Sequence, residues 1–167
     1  MVLKTATTQA DNKAAQSLRA HVLIIEARYY EAIADMLADG AVAECTARGV
    51  TYERIVVPGA LEIPQIFASA AAAKAAGRTT FDGAIVLGCV IRGETAHYDI
   101  VCNNANHWTM EAASRHDVPV GNAILTVETE AQAIARAEGG IKGKGGDAAR
   151  ACLRLIELKR GFWGHGA

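Results

Sequence analysis

Nine consecutive residues, Gly83-Ala-Ile-Val-Leu-Gly-Cys-Val-Ile91, carry no charge and offer no polar face. An amphipathic helix needs a polar side, and a half-exposed strand alternates. A short run this uniform therefore fits a strand buried on both faces, as in a parallel sheet. Parallel strands cannot be joined by hairpins and need crossovers, usually helical. The rest of the chain supplies them. Residues 21–26, His-Val-Leu-Ile-Ile-Glu, read as a strand, and helical spacing follows, with Ile33, Met36 and Leu37 on one face and an end near Gly49. Residues 51–57 form a second strand closed by the turn pair Pro58-Gly59. Residues 63–76 are an alanine-rich helix stopped by Gly77, which suits the left-handed position after a helix. Beyond Arg92-Gly93 a helix is expected over about 95–114, where Val101, Cys102, Ala105, Trp108 and Ala112 recur at three- and four-residue intervals. Residues 122–127 make a fourth strand, and Thr129 with Gln132 has the capping-box spacing that opens a helix carrying Ile134 and Arg136. A glycine-rich break covers 139–146, after which Asp147 is expected to cap a final helix ending before Gly161.

The order βαβαβαβα predicts a single-domain α/β fold: a doubly wound, four-stranded parallel sheet with helices on both faces, of flavodoxin-like type. A length of 167 residues suits one domain. Alanine accounts for 34 residues and aromatics for only 5%, which favours thin, closely packed helices. Residues 1–20 are polar and aperiodic, an arm that is mobile or pairs with a neighbouring subunit. Residues 21–160 are the domain. In the tail, 161–167, the pair Phe162-Trp163 has no evident core partner and reads as an intersubunit contact.

Charge narrows the partners. Lys and Arg total 17 against 18 Asp and Glu, a net of −1, which argues against a nucleic-acid backbone or an anionic membrane as the main partner. No apolar run approaches the ~20 residues that span a bilayer, and the first residues lack a signal-peptide core, so a cytoplasmic protein is expected. Cys45, Cys89, Cys102 and Cys152 form no CxxC, and the five histidines form no HxxxH pair, so buried free thiols and no metal site are expected.

Ligands of doubly wound sheets bind beyond the carboxyl ends of the strands, which directs attention to 27–30, 58–63, 89–97 and 122. Of these, Gly88-Cys-Val-Ile-Arg-Gly-Glu-Thr-Ala-His97 says most. It leaves a buried strand, turns through Gly93 and enters a helix, and the free amides and positive dipole end of such a turn attract anions. Thr95 adds a hydroxyl, while the Glu94 carboxylate is expected to point away. The helix dipole disfavours imidazolium at His97, leaving a ring able to accept a proton, although a helix-end histidine is as often structural. Glu62, at a helix start, is either a dipole partner or an acceptor for a polyol. Tyr29, just past the first strand, offers a face to a planar ring. Arg136 and Lys144 can bind a phosphate, though exposed cations on a helix are the commoner case. Neither GxxxxGK[ST] nor GxGxxG occurs, so nucleotide and dinucleotide binding lack support.

In this order, Ala27-Arg-Tyr-Tyr30, Val57-Pro-Gly-Ala-Leu-Glu-Ile-Pro64, Gly88-Cys-Val-Ile-Arg-Gly-Glu-Thr-Ala-His-Tyr-Asp99, Val118-Pro-Val120, Ile124-Leu-Thr126, Gln132-Ala-Ile-Ala-Arg-Ala137 and Lys144-Gly-Gly146 resemble the lumazine synthase family over roughly residues 21–160. The resemblance implies condensation of 5-amino-6-(D-ribitylamino)uracil with 3,4-dihydroxy-2-butanone 4-phosphate to 6,7-dimethyl-8-ribityllumazine, phosphate and water, with no metal or organic cofactor. It implies that Tyr29 stacks on the pyrimidine, that Ala60, Leu61 and Glu62 hold the ribityl chain, and that the backbone at Cys89, Val90 and Ile91 reads the pyrimidine edge. Glu94 and Thr95 would meet the phosphate with Arg136, Lys144 would line the same site, and His97 would transfer protons.

Where many relatives carry aromatics this chain has Leu61 and Asn122, so stacking rests more on Tyr29, and Asn122 is expected to hydrogen-bond the ribityl chain or ring. The resemblance also implies sites shared between subunits of a ring pentamer, residues 122–144 coming from the neighbour. The loop 138–146 departs from the capsid-forming pattern, which leaves an icosahedral shell open. His97, Arg136 and Lys144 together favour an enzyme over a lumazine- or flavin-binding scaffold, which has no need of all three. An unrelated flavodoxin-like phosphate-binding module predicts neither the VPGALEIP turn nor an oligomeric site.

Overall fold

The computed structural model describes residues 16–164. Four strands, β1 (His21–Ala27), β2 (Thr51–Val57), β3 (Gly83–Ile91) and β4 (Val120–Val127), alternate with α1 (Glu31–Ala47), α2 (Glu62–Ala75), α3 (His97–His116), α4 (Glu130–Ala137) and, after a short 3-10 turn at Gly140–Lys142, α5 (Lys144–Phe162). All pairings are parallel and the spatial order is β2-β1-β3-β4. The expected doubly wound sheet is present. The chain leaves β1 for β2 on one side and returns to β3 on the other, so the order reverses between β1 and β3, where such sheets open a crevice.

Period-two alternation splits the core. Val22, Ile24, Ile85 and Leu87 face α1, α4 and α5, packing on Leu37, Cys45, Ala133 and Leu153. Leu23, Ile25 and Val86 face α2 and α3, packing on Ile63, Phe67 and Ala105. The β3 run is buried from Gly83 to Gly88, as its uniform sequence requires. Edge strand β2 is mostly exposed, despite Ile55 and Val56.

Several boundaries shift for identifiable reasons. Gly77 does take the left-handed conformation, at φ +69°. The Thr129 hydroxyl accepts from the Gln132 amide at 3.3 Å, while the Gln132 side chain accepts from the Glu128 amide at 2.9 Å. α3 starts at His97, two residues later than expected, and β4 starts at Val120, where it pairs with Ala84. The expectation that Asp147 caps the last helix is corrected. α5 begins three residues earlier behind Gly143, and Asp147 lies in its first turn, between Lys144 and Arg150. Gly145 and Gly146 are helical, and a neighbouring backbone leaves no room for a side chain at either. A Cβ at Gly145 would lie 1.9 Å from the Leu37 carbonyl oxygen, and one at Gly146 would lie 2.0 Å from that of Ile141. α5 also continues through Gly161 to Phe162, which like Trp163 is exposed. Residues 1–15 of the expected arm lie outside the described residues.

Candidate active site

The crevice at the β1/β3 reversal holds a cavity of about 390 Å³. Three strand ends and the starts of α2 and α3 wall it. The β1–α1 turn brings Tyr29 and Tyr30, their rings 5.0 Å apart and edge to face. Tyr29 is 74% exposed, so its ring is a platform with one side free. The turn after β2 brings Gly59, Ala60, Leu61 and Glu62. Ile63 and Phe67 anchor the start of α2 in the core, which leaves Glu62 on the cavity side in the first helical turn. A side chain at Gly59 would crowd that carboxylate, since a Cβ there would meet Glu62 Oε2 at 3.0 Å.

The end of β3 supplies Cys89, Val90 and Ile91, half-buried where the strand emerges from the core. Burial and the neighbouring Cys102 push the Cys89 thiol up to about 11, so it stays protonated at neutral pH. The chain then passes Gly93 and Thr95 into α3, which begins with His97 and Tyr98 on the cavity wall. No atom lies within 4 Å of a Cβ built at Gly93, so the space above this turn is open. Among the described residues the amides of Gly93, Glu94, Thr95 and Ala96 donate to no backbone carbonyl, as an anion-binding turn requires. The Thr95 hydroxyl accepts from the His97 amide at 3.3 Å and keeps its own hydrogen to donate. His97 is exposed.

Nine of the residues singled out from sequence thus share one cavity: Tyr29, Ala60, Leu61, Glu62, Cys89, Val90, Ile91, Thr95 and His97. Four others do not line it. Glu94 is exposed on the turn. Asn122, on edge strand β4, donates to Asn106 at 2.7 Å and accepts from the Ile124 amide at 2.8 Å. Arg136 donates to the Gln132 carbonyl at 3.0 Å, and Lys144 pairs with Asp147 at 3.0 Å. All three are exposed.

Sequence reasoning missed Tyr30, Tyr98 and Arg92. The Arg92 guanidinium stacks on Tyr98, 4.1 Å from its centroid, and bonds Glu128 at 2.8 and 3.1 Å, which braces the anion turn from outside. An aromatic next to His97 in the first turn of α3 was the available signal. Among the described residues no cluster of three His, Cys, Asp or Glu side chains is suited to a metal, and no helix is long and apolar enough to cross a membrane.

The sequence model of a family described as 6,7-dimethyl-8-ribityllumazine synthase matches residues 19–160. The chain is 51% identical over 142 residues to the protein named 6,7-dimethyl-8-ribityllumazine synthase 1 of Rhodopseudomonas palustris, covering 84% of this chain and 86% of that one. It is 49% identical over 144 residues to 6,7-dimethyl-8-ribityllumazine synthase of Agrobacterium fabrum, covering 86% and 97%. With the enzyme of that name from Nitrobacter hamburgensis it shares 48% over 141 residues, covering 84% and 86%.

Proposed function

The chain belongs to the 6,7-dimethyl-8-ribityllumazine synthase family, an enzyme family of riboflavin biosynthesis, and we propose that its cavity joins 5-amino-6-(D-ribitylamino)uracil to 3,4-dihydroxy-2-butanone 4-phosphate. The observation that carries this reading is the meeting of an aromatic platform, a carboxylate, an open anion turn and a histidine around one cavity. Tyr29 stacks on the pyrimidine, and backbone groups at Cys89, Val90 and Ile91 hydrogen-bond its edge. Glu62, with Ala60 and Leu61 beside it, accepts from the ribityl hydroxyls. The phosphate lies over the turn of Glu94 and Thr95, held by amides and the Thr95 hydroxyl rather than by the Glu94 carboxylate.

The chemistry needs protons more than it needs a nucleophile. The 5-amino group attacks the ketone and water leaves to give an imine. Inorganic phosphate is then eliminated, and ring closure by the ribitylamino nitrogen releases a second water. His97 stands at the anion turn and shuttles protons in these steps. The Cys89 thiol, protonated at neutral pH, forms no covalent intermediate. Holding two reactive substrates together supplies much of the acceleration.

Arg136 and Lys144 complete the phosphate site, and Asn122 the ribityl site, from a neighbouring copy in a ring pentamer. What supports this is their exposure away from the cavity of their own chain. The exposed edge of β2 and the Phe162-Trp163 pair are further surfaces for such contacts. The reading places the protein in the cytoplasm, where four unpaired cysteines stay reduced. A closed shell of pentamers is a further possible assembly, which mass measurement decides.

The test is lumazine formation and phosphate release from the two purified substrates, with the uncatalysed background subtracted. Saturable acceleration is expected, and His97→Ala should lower kcat by about ten- to a hundredfold without abolishing it. No acceleration alongside tight ribityllumazine binding would turn the assignment to a binding scaffold.

A further inference from the structure

Glu26 is the penultimate residue of β1, and its side chain is fully buried. It follows Val22 and Ile24 on the face that packs against α1, where a lone carboxylate is costly. Two arginines meet it. Arg54 of β2 binds it with both ends of its fork, Nε to Oε1 at 2.6 Å and Nη2 to Oε2 at 3.0 Å. Arg28 donates Nη1 to Oε2 at 2.8 Å and Nη2 to Asp35 on α1 at 2.5 Å. Two acids and two bases cancel, so the cluster braces without adding net charge beside the cavity.

What the cluster braces is the turn that carries Tyr29. Arg28 immediately precedes Tyr29, and Asp35 lies on the first turns of the helix that follows. Tyr30, the residue before α1, makes no side-chain cap to the helix. The Tyr29 ring is largely exposed, and Tyr30 is its only aromatic neighbour among the described residues. The backbone of 28–30, which fixes where that ring is rooted, is held by the Arg28 amide on the Val57 carbonyl and by the ion cluster. We infer that Glu26, through Arg28, Arg54 and Asp35, is a positioning residue that fixes the Tyr29 platform for the pyrimidine substrate. This rests on the proposed stacking role of Tyr29.

A double-mutant cycle tests it, read as KM for each substrate and kcat, with circular dichroism to confirm folding. Glu26→Gln should raise KM for the ribitylaminouracil by about tenfold and leave KM for the butanone phosphate within about twofold. Tyr29→Ala should do the same, and the double variant should be no worse than Tyr29→Ala alone, because the two act as one unit. Asp35→Asn, at an exposed partner, should give a smaller rise of about threefold in the same constant and decides the matter if Glu26→Gln does not fold. Additive losses, or equal losses for both substrates, would reduce the cluster to a structural role. Unchanged pyrimidine KM in Tyr29→Ala would remove the stacking role, and the inference with it. A wild type without turnover would overturn the proposed reaction itself and this inference together.

Discussion

Between residues 27 and 101 three strand ends and two helix starts close around one cavity, whereas Asn122, Arg136 and Lys144 stand apart from it on β4, α4 and α5. The first region is bound tightly. Glu26 is held by three hydrogen bonds from two arginines, and Arg92 by two to Glu128. In the second, Asn122 keeps two hydrogen bonds, but the two cations are bound lightly. An exposed pair such as Lys144 with Asp147 contributes at most about 1 kcal/mol. A ligand phosphate displaces such a partner at little cost. Groups braced around a cavity and loosely held cations apart from it are two different designs, and the contrast is what a site divided between copies would show.

The largest effect should come from dividing that site on purpose. Arg136→Ala is expected to lower kcat/KM for the butanone phosphate by about a hundredfold, the loss of a charge-assisted phosphate contact. Reassembled in equal amounts with a Glu62→Ala/His97→Ala chain, it should recover roughly a quarter of wild-type activity, because each shared site then draws one intact half from each chain at random. No recovery, with both chains in one oligomer, would place both halves in a single subunit.

A smaller effect should appear in acid. Burial works to raise the Glu26 carboxyl, but hydrogen bonds and charge from Arg54 and Arg28 outweigh it and hold the group below its ordinary 4.5. A depressed carboxyl stabilises the fold fully above that ordinary value and loses its contribution as pH falls through the folded value. Urea midpoints should therefore drop between pH 5 and pH 3 in the wild type and drop less in Glu26→Gln, which starts about 2 kcal/mol lower at pH 7. Asp147, lowered despite its own burial by Lys144 and Arg150, gives both proteins a remaining acid limb. Parallel curves would deny the cluster its charge role. The smallest effect is on reactivity: Cys89 should alkylate with iodoacetamide more slowly than a free thiol at pH 8, followed by peptide mass spectrometry, as a thiol pushed to about 11 requires.

The sheet was legible because β1 and β3 are short apolar runs, while β2 has only an apolar end, Ile55 to Val57, stopping before Pro58-Gly59. The cavity wall was largely legible too, since the sheet rule selects strand ends before any side chain is considered. Other features depend on contacts that residue type does not reveal. Gly145 and Gly146 read as a break in sequence but are helical in the fold, and the reason for glycine there is a neighbouring backbone that excludes a side chain. Arg92 reads as an exposed cation until Tyr98 and Glu128 are found against it. Glu26 closes an apolar run and gave no sign of its two arginines, which lie two and 28 residues away. Asn122 was selected with the strand ends but stands near the amino end of β4, and Arg136 and Lys144 were singled out by residue type and family resemblance, not by the sheet geometry.

The glycines at the start of α5 have one more consequence. With Gly145 seated against the Leu37 carbonyl and Gly146 against that of Ile141, neither position has room for a side chain, and the backbone rooting Lys144 packs directly on its neighbours. Its ammonium is a charge on a short leash with a fixed stake. Tethered groups of this kind have a high effective concentration inside the shell their leash sweeps and almost none beyond it. The residues that set that shell are two glycines that hold no charge of their own, so the reach of the Lys144 ammonium is written into the packing of a helix start.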